Sequence, residues 1–513
     1  MFFKNDCLIE LLSPYLRSLK AFKIRKLAAL FYKKLPLLHH PCNKDEERYL
    51  NKVASYSKAL PHNNLGEVNL DAYNKYLKAL KTGIPHDFEK IPLSGLRKLV
   101  NPQAAYAFEL VGPDSHQLII PPPPSFDSAE MASEMVELFW QALTRDVPFN
   151  EYDTNDLTIT AAKELSALID FRGPKIGGKV TPETLFRENL PGALAGPYIS
   201  QFLWKDIPYV GTKITQRYQT TLPKDDHLTS YEAWLAVQNG LMPTTPCPNK
   251  LDPIPRYIRN GRDLCRYVYN DWSVEDGLTP CLILLSFGSE AWDSNNPYLR
   301  SNTQVGFSTF GAPHVLDFVT RAARSALEAA WFQKWLVHRR IRPEEFGGQI
   351  ENVLANNANY PIHPQVLKSD ALALTYDIYK SYLLPQAYAE GCPAHPSYPA
   401  GHAAFIGAIV TILKAFFNES FKIPNPVVAS SDGLSLECYT GPDLTVGGEL
   451  NKLAYNIALG RDAAGVHFRS DGITGLHLGE AVAIGILRDY NATYNEQFKG
   501  FCFTKFDGTP ITI

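Results

Sequence analysis

Apolar residues recur at three- and four-residue intervals through most of this 513-residue chain, and alternation of apolar and polar residues is rare. The first pattern places apolar side chains on one face of a helix, whereas alternation is typical of strands. Segments such as SAEMASEMVELFWQALTRDV and ITAAKELSALIDF show the helical pattern clearly. The sequence therefore predicts an all-α protein.

Three long helices are predicted in the C-terminal half of the chain. The first runs from Val315 to Arg342 and is ended by Pro343, because a residue before proline is pushed out of the α region. The others run from Pro399 to about Phe417 and from Gly472 to about Tyr490. We expect helix bundles, of the paired four-helix-bundle type, with a buried site in this half.

Three regions are expected along the chain: an N-terminal arm over residues 1–60, a helical N-terminal half over 61–300, and a helical half over 301–513 that carries the site. The arm contains the basic run KAFKIRKLAALFYKKLPLLHH. A helix that packs on its own domain is the simpler interpretation of this run. Contact with another subunit or with a membrane surface is the alternative.

Composition excludes several classes of function. The net charge of -3 and the pI near 6.5 do not suggest a surface for nucleic acid. The eight cysteines form no CxxC pair and show no zinc-site spacing. The start, MFFKNDCLIELL, is a poor signal peptide, and no apolar stretch approaches the roughly 20 residues that span a bilayer. We expect a cytoplasmic protein.

The first motif, KWLVHRRIRP, places Lys334 and Arg342 at the end of a strongly apolar helix. Such a cationic cluster favours binding of an anion. It is also what a solvated helix C-terminus carries, since Lys and Arg interact favourably with that end of the helix dipole.

The second motif, HPSYPAGHAAFIGAIV, is a proline-rich turn that leads into an apolar helix. The free N–H groups of the first helical turn and the positive end of the helix dipole favour an anion near Gly401. His402 is then a candidate acid or base beside that anion. The alternative is a capped helix whose two histidines, His395 and His402, only fill space.

The third motif, GRDAAGVHFRSD, contains Arg461, Gly465, His467 and Asp471. Gly465 is expected to end one helix, which leaves His467 on a short turn before the next. Asp471 can accept a proton from one imidazole nitrogen and so keep the other as a lone pair for a metal. An ordinary buried His–Asp pair is the competing interpretation.

Together the three motifs have the order of the acid phosphatase and vanadium haloperoxidase superfamily, whose pattern is KxxxxxxRP, PSGH and SRxxxxxHxxxD. The Lys334-to-Arg342 spacing is one residue longer than in the phosphatases and resembles the vanadium bromoperoxidases of marine algae and cyanobacteria. The phrases TQVGFSTFGAPH, KWLVHRRIRPEEFGG, HPSYPAGHA and GVHFRSDG look like that family's. The resemblance is strong from about Asn302 to Ile486 and thinner before it.

The resemblance implies a vanadate cofactor. His467 would bond vanadium, with Asp471 as its hydrogen-bond partner, and His402 would act as the acid–base catalyst near the axial oxygen. Lys334 would hydrogen-bond the peroxide, and His395 would stand in the halide-binding shell. The residues at cofactor-contacting positions are Lys334, Arg342, Ala400, Gly401, His402, Arg461 and His467.

Two positions depart from the family pattern. Ala400 replaces the serine of PSGH, so a hydroxyl that would bond a vanadate oxygen is absent. Losing one hydrogen bond to a charged group costs about 1.5–3 kcal/mol, which weakens cofactor retention. Gly460 replaces the serine before Arg461, but that serine is not an expected anion contact.

The expected activity is oxidation of bromide or iodide by hydrogen peroxide, and the hypohalous acid would then halogenate small organic acceptors. Chloride-oxidising relatives tend to have an aromatic residue at the position of His395, so this histidine points to bromide or iodide. Acid phosphatase activity through a phosphohistidine at His467 and non-catalytic oxyanion binding are the alternatives, because vanadate resembles phosphate in charge and shape. Family members are commonly symmetric oligomers, so a homo-oligomer is expected.

Overall fold

The structure is a computed structural model that describes residues 13–241 and 249–513. Residues 1–12, on which the argument against a signal peptide rests, lie outside these ranges. The α-helices in the described ranges are α1 Pro14–Lys33, α2 Asp45–Arg48, α3 Leu70–Thr82, α4 Pro85–Phe88, α5 Ala129–Leu143, α6 Asp156–Ala167, α7 Tyr231–Gln238, α8 Gly261–Asn270, α9 Glu275–Ser286, α10 Ala312–Phe332, α11 Pro343–Leu354, α12 Pro364–Leu367, α13 Asp370–Tyr379, α14 Gly401–Phe416, α15 Val446–Ala463 and α16 Arg469–Asn491.

Strands are confined, in the described chain, to three two-stranded antiparallel pairs. They are β1 Ile207–Tyr209 with β2 Thr212–Ile214, β3 Val427–Ala429 with β4 Leu436–Cys438, and β5 Cys502–Thr504 with β6 Pro510–Thr512. The predicted all-α class is confirmed, because each strand is only three residues long and the core is built from helices.

Helix α14 lies at the centre of the C-terminal half and packs against α10, α15 and α16. Its sequence, GHAAFIGAIVTILKAF, is apolar on every side, which is the composition of a helix that is surrounded by protein. All of its residues are buried except His402. The burial of the rest of α14 thus leaves the start of this helix as its only point of access.

The predicted helices over 399–417 and 472–490 are confirmed as α14 and α16, with bounds that differ by two or three residues at their starts. The predicted end of the first long helix is wrong. The α-helical part, α10, ends at Phe332, and a π-helical turn follows over Gln333–His338. Arg339 then takes a left-handed conformation with φ 43°, which ends the helical segment before Pro343. Pro343 begins α11 at its first position, where its missing N–H has no helical partner to lose.

The short connection between α15 and α16 is as predicted. Gly465 follows the end of α15 with φ +80°, a conformation that glycine adopts without strain. His467 lies between the two helices and is 1% exposed. The turn therefore places the histidine inside the protein and beside the start of α14.

Two further findings concern the described residues as a whole. In the described residues, no helix combines the length and apolar character needed to cross a membrane. The six cysteines of the described ranges are free thiols. They are Cys42, Cys265, Cys281, Cys392, Cys438 and Cys502.

The basic helix of the N-terminal arm forms as α1. None of its residues is fully buried, but side chains spaced by about one turn on one face are half-buried, namely Ala21, Ile24, Ala28 and Tyr32. Such a stripe is what a helix that packs on its own domain presents. Packing on its own domain and contact with another subunit or a membrane surface both stay predictions.

The close approach of α14 and α16 depends on Gly479, and this generates a testable prediction. A Cβ atom at Gly479 would lie 2.0 Å from the Ala404 carbonyl oxygen, whereas one at Gly472 of the same helix would meet only the Ala458 methyl at 3.4 Å. We expect Gly479→Ala to destabilise the protein by about 1–3 kcal/mol because α16 must move away from α14. The midpoint of denaturant unfolding measures this, with Gly472→Ala as the matched control. Equal midpoints for the two variants would contradict the prediction.

Candidate oxyanion site

Lys334 links the first motif to the second. It lies in the π-helical turn after α10 and is fully buried. Its Nζ donates to the carbonyl oxygens of Pro396 and Ser397, at 2.8 and 2.6 Å. Burial lowers the pKa of Lys334 well below its usual value, and the neighbouring charge of Arg342 lowers it further. An anion beside this ammonium group would relieve both effects.

Arg342 joins the second and third motifs. Its Nε donates to the His395 carbonyl at 2.9 Å, and its Nη1 donates to the Val466 carbonyl at 2.6 Å. The same guanidinium reaches both histidine rings, with Nη1 3.1 Å from Nε2 of His467 and Nη2 2.9 Å from Nδ1 of His395. The residue just before α11 thereby brings all three sequence motifs to one point.

His467 and Asp471 form the hydrogen bond that their spacing predicts, with Nδ1 2.9 Å from Oδ2. Burial lowers the pKa of His467 well below its usual value, and the charges of Arg342 and Lys334 lower it further. The imidazole is therefore neutral. Because the carboxylate can only accept, Nδ1 carries the proton and Nε2 keeps a lone pair. This is the state of a histidine that binds a metal.

The carboxylate of Asp471 has other partners besides His467. Arg340 donates to its Oδ1 at 2.7 Å, and the Ser397 hydroxyl donates to Oδ2. Burial alone would raise the pKa of Asp471, but the charge of Arg340 and the hydrogen bond from His467 hold it well below its usual value. Arg340 and Arg342 belong to the same cationic run of the first motif. Only the fold shows that Arg340 binds the Asp471 carboxylate, whereas Arg342 reaches the His467 ring.

The start of α14 faces the same point. The backbone N–H of Ala400 donates to the Asp471 carbonyl at 2.9 Å, which ties this start to that of α16. Ala400 is the residue before α14, and its methyl group cannot cap the helix. The first N–H groups of α14, those of Gly401 and His402, have no partner within their own helix and remain available to an anion.

His402 has a carboxylate partner that the sequence motifs do not reveal. Its Nε2 lies 3.1 Å from Oδ1 of Asp271, a residue that directly follows α8. Burial lowers the pKa of His402, while the charge of Asp271 raises it. The His402 side chain is 25% exposed, so it is the part of this cluster that solvent reaches. Asp271 is 131 residues away in sequence and no spacing pattern links the two.

Arg461 completes the set of cations. It is 5% exposed, and its Nη1 donates to the Val268 carbonyl at 2.7 Å. Its buried Nε has no hydrogen-bond partner in the described part of the chain. Packing explains why a glycine precedes Arg461, because a Cβ atom at Gly460 would lie 2.9 Å from Val268 Cγ1. The family serine at that position would not fit here without movement.

These residues fit an oxyanion cofactor. Lys334, Arg342 and Arg461 are buried cations, and Asp471 is the described carboxylate whose charge acts on both Lys334 and Arg342. Asp471 is already occupied by Arg340 and His467, and Asp271, the carboxylate near Arg461, is shared with His402. The buried positive charge is therefore only partly balanced within the site, and burying such charge is costly unless it is paired. A multiply charged anion would balance it.

Comparisons with known proteins show which family the chain belongs to. The family model of the VCPO second helical-bundle domain matches residues 315–496. The chain is 36% identical to a vanadium-dependent bromoperoxidase of Ascophyllum nodosum over 90% of this chain and 86% of the relative. It is 35% identical to the corresponding protein of Corallina pilulifera, over 90% of this chain and 91% of the relative. The chain belongs to the vanadium-dependent bromoperoxidase family.

A solved structure in this bromoperoxidase family has the same fold over nearly the whole chain. It is the homohexameric second vanadate-dependent bromoperoxidase of Ascophyllum nodosum. The two structures agree with a TM-score of 0.93 at 30% identity, covering 99% of this chain and 93% of the relative.

The structure brings together all nine site residues that the motifs predicted. They are Lys334, Arg342, His395, Ala400, Gly401, His402, Arg461, His467 and Asp471. His395 contacts Arg342 directly, and its ring lies 4.8 Å from that of Trp331. Sequence reasoning missed Asp271, Arg340 and Ser397, which position the motif residues through hydrogen bonds.

Lys334 provides a test of the anion site that does not depend on activity. We expect Lys334→Met to weaken binding of orthovanadate about tenfold or more, since one charge-assisted hydrogen bond contributes about 1.5–3 kcal/mol. The rise in melting temperature on adding orthovanadate to the apoprotein measures the effect.

Lys414→Met is the matched control, because Lys414 is equally buried but donates to Asn451 and Thr504. That variant should keep the full rise caused by orthovanadate even if its own melting temperature is lower. An unchanged rise in Lys334→Met would mean that this ammonium group does not bind the anion.

Proposed function

We propose that this chain is a vanadium-dependent haloperoxidase that oxidises bromide or iodide with hydrogen peroxide. The observation that carries the proposal is the buried and only partly balanced set of cations Lys334, Arg342 and Arg461 around a neutral His467. Membership in a family whose relatives are named vanadium-dependent bromoperoxidases supports it. The homohexameric relative supports assembly into a homo-oligomer.

Vanadate would be held by His467 Nε2 and by the three buried cations together with the first N–H groups of α14. When bound, it supplies a Lewis-acidic centre that activates peroxide without carrying electrons itself. Asp471 keeps the proton of His467 on Nδ1 and so keeps the lone pair on Nε2, which Arg342 Nη1 approaches to 3.1 Å and would yield to vanadium. The buried cations are fixed in place by carbonyl oxygens, so they stabilise developing negative charge without reorganising.

His402 would move protons at the open side of the site. It is partly exposed, and burial lowers its pKa, so the neutral ring can take a proton from incoming peroxide. The nearby Asp271 carboxylate stabilises the protonated ring until the proton is returned to the leaving oxygen. Lys334 would polarise the peroxide by hydrogen bonding.

His395 would assist the halide. Burial lowers the pKa of His395 well below its usual value, and the charges of Arg342 and Lys334 lower it further, so its ring is neutral. Its Nδ1 lies 2.9 Å from Nη2 of Arg342, which donates, and 3.1 Å from the Pro396 carbonyl, which accepts, so the two contacts favour opposite tautomers. In the tautomer that accepts from Arg342, Nε2 carries the ring proton, and this N–H would be a donor suited to bromide or iodide. The hypohalous acid would then halogenate small organic acceptors.

The proposed function is tested by reconstitution. Protein stripped of vanadate should gain peroxide-dependent bromide oxidation when orthovanadate is added, and inorganic phosphate should compete with it for the cationic site. A parallel phosphatase assay of the stripped protein tests the alternative activity, hydrolysis of phosphate monoesters through a phosphohistidine at His467. Activity that ignores vanadate and follows iron or haem would overturn the proposal.

Two histidine variants separate binding from turnover. We expect His467→Ala to abolish vanadate binding, whereas His402→Ala keeps the anion and lowers kcat by about a hundredfold or more, the usual contribution of a general acid–base. Equilibrium binding of vanadate and bromide oxidation at saturating vanadate measure the two effects. His477→Ala is the control, because its side chain is 44% exposed on α16. Equal loss of vanadate from both site variants would contradict these roles.

A substitution at Ala400 is expected to increase the affinity of the site for vanadate. A serine there would donate to a vanadate oxygen, so Ala400→Ser should tighten vanadate binding by about tenfold to a hundredfold, or roughly 1.4–2.8 kcal/mol. Titration of apoprotein with vanadate measures the affinity. Ala403→Ser, one turn along the same buried helix, is the control and should leave the affinity unchanged. Unchanged or weaker binding in Ala400→Ser would show that position 400 does not face the anion.

A further inference from the structure

Two carboxyl groups lie next to each other on the inner side of His402. Asp271 directly follows α8, and Asp276 lies in the first turn of α9. The Asp271 side chain is 2% exposed and Asp276 is 1% exposed, and the two carboxyl groups are within hydrogen-bonding reach of each other. Two buried carboxylates in contact repel each other strongly, so one of the two groups holds a proton.

Each of these carboxyl groups has one oxygen with a partner and one without. Oδ1 of Asp271 lies 3.1 Å from Nε2 of His402, and Oδ1 of Asp276 accepts from the Tyr267 hydroxyl at 2.7 Å. Oδ2 of each group is buried and has no hydrogen-bond donor among the described residues. A buried polar atom without a partner is costly. A proton shared by the two carboxyl groups through these oxygens satisfies both.

The surroundings assign this proton to Asp276. Burial raises the pKa of Asp271, but the charges of His402 and Arg461 and the hydrogen bond with His402 bring it below its usual value. Burial raises the pKa of Asp276 well above its usual value, and the negative charge of Asp271 raises it further. The titratable or charged groups around the pair are His402, Arg461, Tyr267, Tyr218, Tyr388 and Glu275. Asp276 is therefore the carboxylic acid and Asp271 the carboxylate.

We propose that Asp276 is a positioning residue that keeps its proton and donates it in a hydrogen bond to Oδ2 of Asp271, so that Asp271 stays a carboxylate directed at His402. Because a carboxylate can only accept, Nε2 of His402 carries the ring proton and Nδ1 keeps the lone pair. A protonated Asp271 would instead donate to Nε2 and leave His402 in the other tautomer. Asp276 itself gives up no proton in this arrangement.

The same hydrogen bond sets the proton affinity of His402. Burial lowers the pKa of His402, the charge of Asp271 raises it, and the charges of Arg461 and Lys334 lower it. A donor on Oδ2 of Asp271 stabilises that carboxylate and weakens its pull on a protonated imidazole. Without the donor, the pKa of His402 rises, and its ring stays protonated to higher pH. The consequence for turnover rests on the proposed function, whereas the proton affinity of His402 does not depend on bound vanadate.

Two substitutions at Asp276 separate a neutral donor from a negative charge. Asp276→Asn keeps a neutral side chain whose amide can donate to Asp271 and accept from Tyr267, so the pKa of His402 should stay unchanged. Asp276→Leu keeps the branching of the side chain but has no donor, and it should raise the pKa of His402 by about one unit. Glu275→Gln is the matched control, because it removes an exposed carboxyl group from the same turn of α9.

The pKa of His402 is measured in vanadate-free protein from the pH dependence of its reaction with diethyl pyrocarbonate, which attacks the neutral imidazole. Fragmentation of the modified peptide in the mass spectrometer distinguishes His402 from His395. The infrared spectrum at neutral pH reports the acid directly, since Asp276→Asn should lose one C=O band of a protonated carboxyl group. Circular dichroism confirms that each variant is folded.

A lower pKa of His402 in Asp276→Asn would overturn the proposal, because it would mean that Asp276 carries a negative charge. An unchanged pKa in Asp276→Leu would also overturn it. If the leucine variant does not fold, the asparagine variant and its infrared spectrum still decide, and a spectrum that loses no protonated carboxyl band contradicts the proposal.

Turnover separates this inference from the proposed function. After addition of vanadate, the acid limb of kcat for bromide oxidation should move to higher pH in Asp276→Leu, because His402 must be neutral to accept a proton. A raised pKa of His402 in the vanadate-free variant without this movement would support the role of Asp276 and count against His402 as the proton-transfer residue.

Discussion

The buried carboxylate of Asp471 holds the site together. It accepts hydrogen bonds from His467, Arg340 and Ser397, and its backbone carbonyl accepts the N–H of Ala400. A charge in the interior is tolerated only when its lone pairs are satisfied, and here the partners come from all three motifs. The same contacts that stabilise the carboxylate therefore place the motifs beside one another.

The site carries an electrostatic cost that its cofactor would remove. Lys334 and Arg342 are fully buried, and burial lowers the pKa of each. Carbonyl oxygens of the second and third motifs accept their hydrogen bonds but do not neutralise their charge. The surrounding fold maintains this imbalance, because α14 and its neighbours are packed tightly enough to resist rearrangement. An oxyanion that binds there supplies the negative charge that Lys334 and Arg342 lack in the apoprotein.

Helix packing decides where the open side of the site lies. Helix α14 is buried along its length, and only His402 at its start reaches solvent. Gly479 allows α16 to approach α14 closely, which brings the start of each helix to the same end of the pair. His402, the residue proposed to transfer protons, is thus exposed at the start of α14, while His467 remains inside.

The sequence by itself determined the helical class, the helices over 399–417 and 472–490, and the three motifs, because each depends on residues close together in the chain. Neighbouring residues also account for the His467–Asp471 pair, four positions apart. Only the tertiary structure decided that Pro343 begins a helix, that Asp271 faces His402 across 131 residues, and that Val268 requires a small residue at Gly460. It also decided that α1 is half-buried along one face and buries none of its residues fully. These features depend on which distant segments pack together, and local periodicity and spacing carry no information about such contacts.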